Sequence, residues 1–182
     1  MALLRRVLPL VALLVTGQRV AAQGVRASEY QLKAVFLFNF AQFVDWPAEA
    51  FPDSATPLVI GILGNDPFGE TLDLTVRDER LGGRPFQVQR YRSVDEIKTC
   101  HILFISRSEG ARPATILAGL QHRPILTVSD ADRFAERGGM IRFVTDRSRI
   151  RLQLNLDAAQ AAHLTISSKL LRAAEIITPT GR

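Results

Sequence analysis

The chain has 182 residues, 47% of them hydrophobic, and its 23 basic and 18 acidic residues give a net charge of +5. A chain of this length suits a single domain with a sizeable core. The basic residues are scattered rather than gathered on one face, which argues against nucleic acid as a partner. The one cysteine, Cys100, excludes an intramolecular disulfide.

The first 22 residues have the pattern of a secretory signal peptide. A short basic start precedes an uncharged apolar run over residues 7–15, and Val20-Ala21-Ala22 supplies small residues for a cleavage site. The run is too short to span a bilayer, which takes about 20 residues. We therefore expect a signal peptide at residues 1–22 and one exported domain at residues 23–182. The signal holds three of the basic residues and no acidic one, so the exported part carries a net charge of +2.

The remainder alternates between buried strands and helices. Ser28 and Gln31 form a capping box, which predicts a helix from Ser28 to Asp45, before Trp46-Pro47. Apolar runs predict strands at residues 58–63, 86–91, 101–105 and 125–128. The intervening segments predict helices at residues 67–78, 93–98, 113–120, 130–136 and 157–162, and a last helix from Ser167 or Ser168 to Ile177.

This alternation of strands and helices is typical of a parallel sheet with right-handed crossovers. Residues 140–144 and 150–156 depart from this strand–helix alternation. A short turn joins the two segments directly, and the second one alternates apolar with polar side chains. They predict an antiparallel hairpin. The predicted fold is a three-layer α/β/α sandwich with a mixed, mostly parallel sheet that ends in this hairpin.

The first helix has an apolar stripe and a less regular opposite face. The stripe predicted to face the core consists of Leu32, Phe36, Phe40, Phe43 and Val44. On the other face, Val35 and Phe38 lie among polar residues that include Gln42. Either another helix of the same domain covers Phe38, or this face binds a partner or a second copy of the chain. Val35, Phe38 and Gln42 are therefore the candidate partner-binding residues.

The motifs that would signal catalysis are incomplete. The loop that begins at Gly64 follows a strand and opens a helix, but Glu70 stands where a phosphate-binding loop needs lysine. Cys100 and His101 are adjacent, and adjacent residues of a strand point to opposite faces, so they do not form a nucleophile and base. The three histidines lack the spacing of metal ligands. The sequence therefore predicts no catalytic, cofactor-binding or metal-binding residue.

Polar residues follow the predicted parallel strands, where a ligand of such a sheet would bind. They form the candidate ligand crevice: Asn65, Asp66 and Phe68 after one strand, Ser106, Arg107 and Ser108 after another, and Ser129 with Asp130 after a third. Polar residues are also ordinary at loop ends, so the pattern fits either a small-molecule crevice or plain surface loops.

Six sequence blocks resemble, in order, those of the YfiR-like periplasmic proteins. The blocks span residues 28–47, 60–69, 100–106, 138–144, 155–157 and 166–171, from SEYQLKAVFLFNFAQFVDWP to ISSKLL. The resemblance implies a non-enzymatic repressor that binds the periplasmic sensor domain of an inner-membrane diguanylate cyclase. Release of such a repressor raises cyclic di-GMP and favours biofilm growth. The family's best-studied members carry disulfides, whereas Cys100 here has no partner in the chain.

The resemblance and the residues together predict a periplasmic signalling regulator without a cofactor. Its expected partner is an inner-membrane diguanylate cyclase, or another membrane sensor such as a histidine kinase, with a homodimer as a further expectation. The main alternative is a periplasmic module that binds a small molecule at the strand ends. An exported hydrolase is the weakest alternative.

Overall fold

The computed structural model describes residues 17–147 and 149–178, with side chains from Glu29 onward. The basic start and the apolar run of the predicted signal peptide, within residues 1–16, lie outside the described residues. In the described part, five α-helices are α1 (Gly17–Phe40), α2 (Glu70–Val76), α3 (Pro113–Gly119), α4 (Leu156–Ala161) and α5 (Ser168–Ala173). Short 3₁₀ turns occupy Ala48–Ala50, Val94–Glu96 and Arg107–Glu109.

Ten strands form one large and one small sheet. The strands are β1 (Val44–Asp45), β2 (Leu58–Leu63), β3 (Arg80–Leu81), β4 (Arg84–Tyr91), β5 (Ile102–Ile105), β6 (Leu126–Ser129), β7 (Ile141–Asp146), β8 (Arg149–Leu154), β9 (Thr165–Ile166) and β10 (Ala174–Ile176). The eight-stranded sheet has the order β10-β8-β7-β6-β5-β2-β4-β3, and β1 pairs with β9. Within the large sheet only β3–β4 and β7–β8 are antiparallel.

Helices cover both faces of the sheet, so the predicted three-layer α/β fold is confirmed. On β5, Ile102 and Phe104 join the core cluster that contains residues of α1, α2, α4 and α5. Leu103 and Ile105, which alternate with them, join a smaller cluster with Ile116 of α3. This alternation follows from the two-residue period of a strand and explains why the central strands are apolar on both faces.

The large sheet does not end in the predicted hairpin, because one further strand, β10, pairs with the outer edge of β8. The last helix was expected to reach Ile177, but α5 ends at Ala173 and the chain continues as β10, parallel to β8. The backbone N–H of Ile177 donates to Leu154 at 2.8 Å. Without β10, the backbone N–H and C=O groups on the outer edge of β8 would be unpaired. Residues 174–176 pair with these groups, and this explains why they form a strand and do not continue the predicted helix.

Three predicted helix boundaries are also wrong, and one predicted helix does not form. Helix α1 runs through Ser28, which is therefore interior and not an N-cap, and it ends at Phe40 rather than at Asp45. Helix α2 begins at Glu70, because Asp66 Oδ1 accepts from the backbone of Phe68 and Gly69 and closes a turn there. Residues 130–136 form turns and no helix.

The buried stripe of α1 differs from the predicted one. Phe40 and Val44, at the end of the stripe, are buried as predicted, Phe36 and Phe43 are half-buried, and Leu32 is 45% exposed. The stripe that faces the sheet within the helix consists of Lys33, Ala34, Leu37 and Phe40. The buried stripe is thus rotated from the predicted one, because the prediction placed Leu32 inside and did not include Lys33.

Candidate partner-binding surface

The inner face of α1 is anchored to the sheet by a buried ion pair. Lys33 has no exposed surface, and its Nζ lies 2.6 Å from Oδ2 of Asp130, which follows β6 and is 1% exposed. The same ammonium lies 2.5 Å from Oε1 of Glu29, one turn earlier on α1. The Tyr30 hydroxyl donates to Asp130 Oδ2 at 2.8 Å. These contacts fix the position of α1 across the carboxyl ends of the strands.

The exposed residues Arg107 and Thr145 complete this cluster at the surface. Arg107 Nε donates to the Asp130 carbonyl oxygen at 3.0 Å and lies 3.2 Å from Oδ1 of the same residue. The Thr145 hydroxyl donates to Glu29 at 2.8 Å. Burial raises the pKa of Glu29, but the hydrogen bonds from Lys33 and Thr145 outweigh it, so that the pKa lies below its usual value. Burial and the bond to Asp130 raise the pKa of Tyr30. Glu29 is therefore charged and Tyr30 neutral at pH 7.

Sequence reasoning identified two of the six residues of this cluster. Asp130 and Arg107 were predicted at strand ends, but the partners of Asp130 on α1 were missed. The one available signal was the spacing of Glu29 and Lys33, which is that of a helical ion pair. Because Lys33 and Asp130 lie 97 residues apart, no local pattern could join them.

The outer face of α1 exposes apolar side chains. Leu32 is 45% exposed and Val35 is 42% exposed, and they are two of four large hydrophobic residues exposed in the described chain. Gln31 and Gln42 on the same face are also exposed. We call Leu32 and Val35, together with Gln42 in the turn that follows the helix, the outer face of α1. Among the described residues, Leu32 and Val35 remain exposed, as the partner-binding hypothesis requires of Val35.

Phe38 lies at the border between this outer face and the core. It is half-buried, and its ring centroid lies 5.1 Å from that of Phe86 in β4. Phe38 therefore contributes to the home core, and only part of its ring remains accessible. Of the three predicted partner-binding residues, Val35 and Gln42 are exposed and Phe38 is shared with the fold.

The first loop of the predicted ligand crevice is folded onto itself. Asp66 caps the turn before α2 through Oδ1 and forms an ion pair through Oδ2 with Arg90 at 2.9 Å. Phe68 is 4% exposed, with its ring against those of Tyr30 and Phe104 at 5.4 and 4.8 Å. Neither side chain points into an open crevice.

The second loop of the crevice contacts the first. Ser108 Oγ accepts from the backbone of Asn65 at 3.0 Å, and Ser106, which is buried, caps the following turn through its hydroxyl. Gly64 has φ of 88°, and a Cβ there would lie 2.5 Å from Ser108 Oγ. The structure thus brings the two predicted loops together through direct contacts, and a ligand crevice between them stays a prediction.

Cys100 and His101 have structural environments on opposite faces of the strand. The Cys100 thiol is buried 3.2 Å from the Ile102 carbonyl, and burial raises its pKa to about 12. His101 Nδ1 accepts from the Val59 backbone and Nε2 donates to the Ala50 carbonyl, both at 3.0 Å. Burial lowers the pKa of His101. The imidazole is therefore neutral, and the thiol is protonated and inert.

Two further observations concern metal binding and membrane-spanning helices. Across the described part of the chain, no three histidine, cysteine, aspartate or glutamate side chains form a group that could hold a metal ion. Within residues 17–147 and 149–178, no helix has both the length and the apolar composition that crossing a membrane requires.

Comparison with known proteins identifies the family. A crystal structure of a conserved domain protein from Vibrio cholerae O1 biovar El Tor is similar to 72% of this chain at 12% sequence identity, with a TM-score of 0.48. The similarity spans 57% of the Vibrio chain, less than two thirds of its length. No curated protein matches the sequence. A family model described as YfiR/HmsC-like matches residues 30–175. The family is one of periplasmic regulators of diguanylate cyclase signalling rather than of enzymes. The chain belongs to the YfiR/HmsC-like family.

Proposed function

We propose that this protein, exported after removal of residues 1–22, binds the periplasmic domain of an inner-membrane diguanylate cyclase through the outer face of α1. Binding restrains the cyclase and lowers its output of cyclic di-GMP. Family membership supports the periplasmic signalling role. The observation that carries the choice of surface is the exposure of Leu32 and Val35 on a helix whose inner face is fixed by Lys33 and Asp130.

The outer face has the spacing of a helix that docks into a groove. Leu32 and Val35 are three residues apart, and the half-buried Phe36 follows Leu32 by four residues, one helical turn later. Apolar residues at such intervals are the anchors by which a helix binds an apolar groove. The mixture of exposed leucine and valine with Gln31 and Gln42 gives an apolar centre with a polar rim, which is typical of a protein interface.

Anchoring of α1 also accounts for restraint of the partner. A regulator shifts a sensor between conformations only by binding one of them more tightly than the other. A helix held by a buried ion pair presents its outer face in one fixed position, so little ordering remains to oppose binding. The proposed restraint is therefore selective binding of the inactive sensor conformation by a rigid surface.

The test is the affinity of the exported protein for the purified periplasmic domain of the cyclase. Leu32→Asp/Val35→Asp places two charges at the interface and should weaken binding by about thirtyfold or more, a loss of roughly 2 kcal/mol. Leu74→Asp is the matched control, because Leu74 of α2 is 53% exposed and lies outside α1. It should leave the affinity within about twofold.

The readout in cells is the level of cyclic di-GMP. Cells with the double variant should contain as much as cells without the protein, and cells with Leu74→Asp as little as the wild type. Unchanged affinity of a folded double variant would contradict the proposed surface. Failure of the wild type to bind any inner-membrane diguanylate cyclase or kinase domain would contradict the proposed function.

A further inference from the structure

A groove runs beside α3 on the face of the sheet opposite α1. It consists of two adjoining cavities, of about 450 and 260 Å³. Arg137 lines both, and the consecutive residues Pro113 and Ala114 of α3 line one each. We call the two together the α3 groove. None of the residues predicted from the sequence to bind a partner lines it, and of the predicted crevice residues only Arg107 does.

The larger cavity is mainly apolar. Its lining includes buried Ile125 and Met140 together with the half-buried side chains of Leu117 and Ala158. Thr127 Oγ1, also in the lining, already accepts from the Met140 backbone at 3.1 Å. This cavity has the size and the apolar walls of a small-molecule site.

The smaller cavity is cationic. Arg107 and Arg137 line it, together with the single carboxylate of Asp132. Asp132 pairs with Arg142 at 2.8 Å, while Arg137 forms no ion pair within the described residues. Arg107 Nε donates a hydrogen bond to Asp130, and the side chain of Arg107 remains 62% exposed. Two guanidinium groups therefore face this end of the groove with their terminal N–H groups available.

We propose that the α3 groove binds a small amphiphilic anion, with an aliphatic body in the larger cavity and its carboxylate on Arg137. The position of Arg137, which lines both cavities, places a positive charge where the apolar cavity ends. Arg137 is exposed, and a neutral apolar molecule would gain no attraction from its charge. A multiply charged molecule such as a nucleotide would put polar groups against Ile125, Leu117 and Met140, at the cost of their desolvation.

This site does not rest on the proposed function. Its lining joins both core clusters, since Ile125 belongs to that of α3 and Met140 to that of α1, but neither Leu32 nor Val35 lines either cavity. Binding in the groove can therefore be measured on the protein alone. Variants of Leu32 and Val35 should leave it unchanged, so failure of one proposal does not decide the other.

The test is an NMR titration of the exported protein with octanoate and with octan-1-ol, which has the same chain without the charge. Octanoate should bind saturably and shift the amide signals of Leu117, Gly138 and Ala161. Arg137→Gln should weaken octanoate by about tenfold, the loss expected for one charge-assisted hydrogen bond, and leave octan-1-ol unchanged. Ala161→Trp, at an exposed position of α4 that lines the groove, should abolish binding of both.

Arg133→Gln is the matched control, since Arg133 lies in the same loop and lines neither cavity. It should not change octanoate binding. Equal loss in both arginine variants would show an effect of net charge only and would overturn the proposal, as would the absence of saturable octanoate binding.

A second experiment measures binding of the protein to vesicles of phosphatidylglycerol. Retention of vesicles without binding of free octanoate would show adsorption to a lipid surface and would also contradict a site for a free amphiphile.

Discussion

Two neighbouring residues of α1, Leu32 and Lys33, occupy environments opposite to those that hydropathy predicts. Lys33 has no exposed surface, whereas Leu32 is 45% exposed. The inner face holds its charge because Asp130 and Glu29 lie within 2.6 Å of the ammonium. The outer face leaves Leu32 and Val35 exposed among the described residues. This difference supports the proposal that α1 is fixed on its inner side and binds a partner through its outer side.

A buried ion pair is a weak source of net stability, because desolvation of both charges offsets their attraction. Removal of only one of the two charges nevertheless destabilises the fold, since the other charge is left buried. The pair is therefore better suited to fixing where α1 lies on the sheet than to stabilising the fold. Apolar residues at positions 33 and 130 together could stabilise the fold as much without selecting one position of α1 along the strand ends.

The largest expected effect comes from breaking this pair. Lys33→Met should lower the free energy of unfolding by about 3 kcal/mol, because it leaves the buried Asp130 carboxylate with only the largely exposed Arg107 as its cation. Urea denaturation of wild type and variant measures the difference.

The control replaces both charges. Lys33→Met with Asp130→Leu removes the charge that the single variant leaves behind, and it should recover most of the lost stability. A single variant within about 1 kcal/mol of the wild type would show that the ion pair does not hold α1.

Two phenylalanines of α1 sharpen the comparison of its faces. Phe40 is 1% exposed and its ring stacks on that of Phe143 at 5.8 Å, so Phe40→Ala should cost about 3–5 kcal/mol. Phe38 is half-buried against Phe86, and its truncation should cost roughly 1–2 kcal/mol. Thermal and urea unfolding of both variants test this order. Equal losses would place Phe38 in the core and remove it from the proposed interface.

The strands could be predicted from the sequence because their signals are local. Residues 58–63 form an uninterrupted apolar run, and the structure has a strand of the same bounds, β2. Residues 150–156 alternate, and β8 is half-exposed as alternation predicts. Helix boundaries were less predictable, since the capping box at Ser28 competes with a longer helix that the rest of α1 favours.

The candidate site was less predictable than the fold because its decisive contacts are distant in sequence. Val35 and Gln42 could be placed on an outer face by helical period alone. Lys33 could not be placed inside, since its burial depends on Asp130 from β6. The contact between the two loops of the predicted crevice was missed for the same reason, because the hydrogen bond from Asn65 to Ser108 joins residues 43 positions apart.

The smallest expected effect concerns pH and a residue away from α1. His101 is neutral when folded, and burial lowers its pKa. Below the unfolded value of about 6.5, the unfolded chain takes up a proton that the folded chain does not, so stability should fall as pH decreases from about 6.5 to 5. His101→Asn should be less stable at pH 7 but lose less on acidification. Chemical denaturation at several pH values measures both slopes, and identical slopes would contradict the assignment.

The central claim, that the outer face of α1 contacts the membrane sensor, is tested most directly by site-specific cross-linking. Cys100 is buried and its thiol has a raised pKa, so a cysteine introduced on the surface can be labelled selectively. Val35→Cys and, as the control, Leu74→Cys would each carry a benzophenone label and be illuminated with the sensor's periplasmic domain. We predict a cross-linked product from position 35 and none from position 74. A product from position 74 alone, with both labelled proteins folded and bound, would contradict the claim.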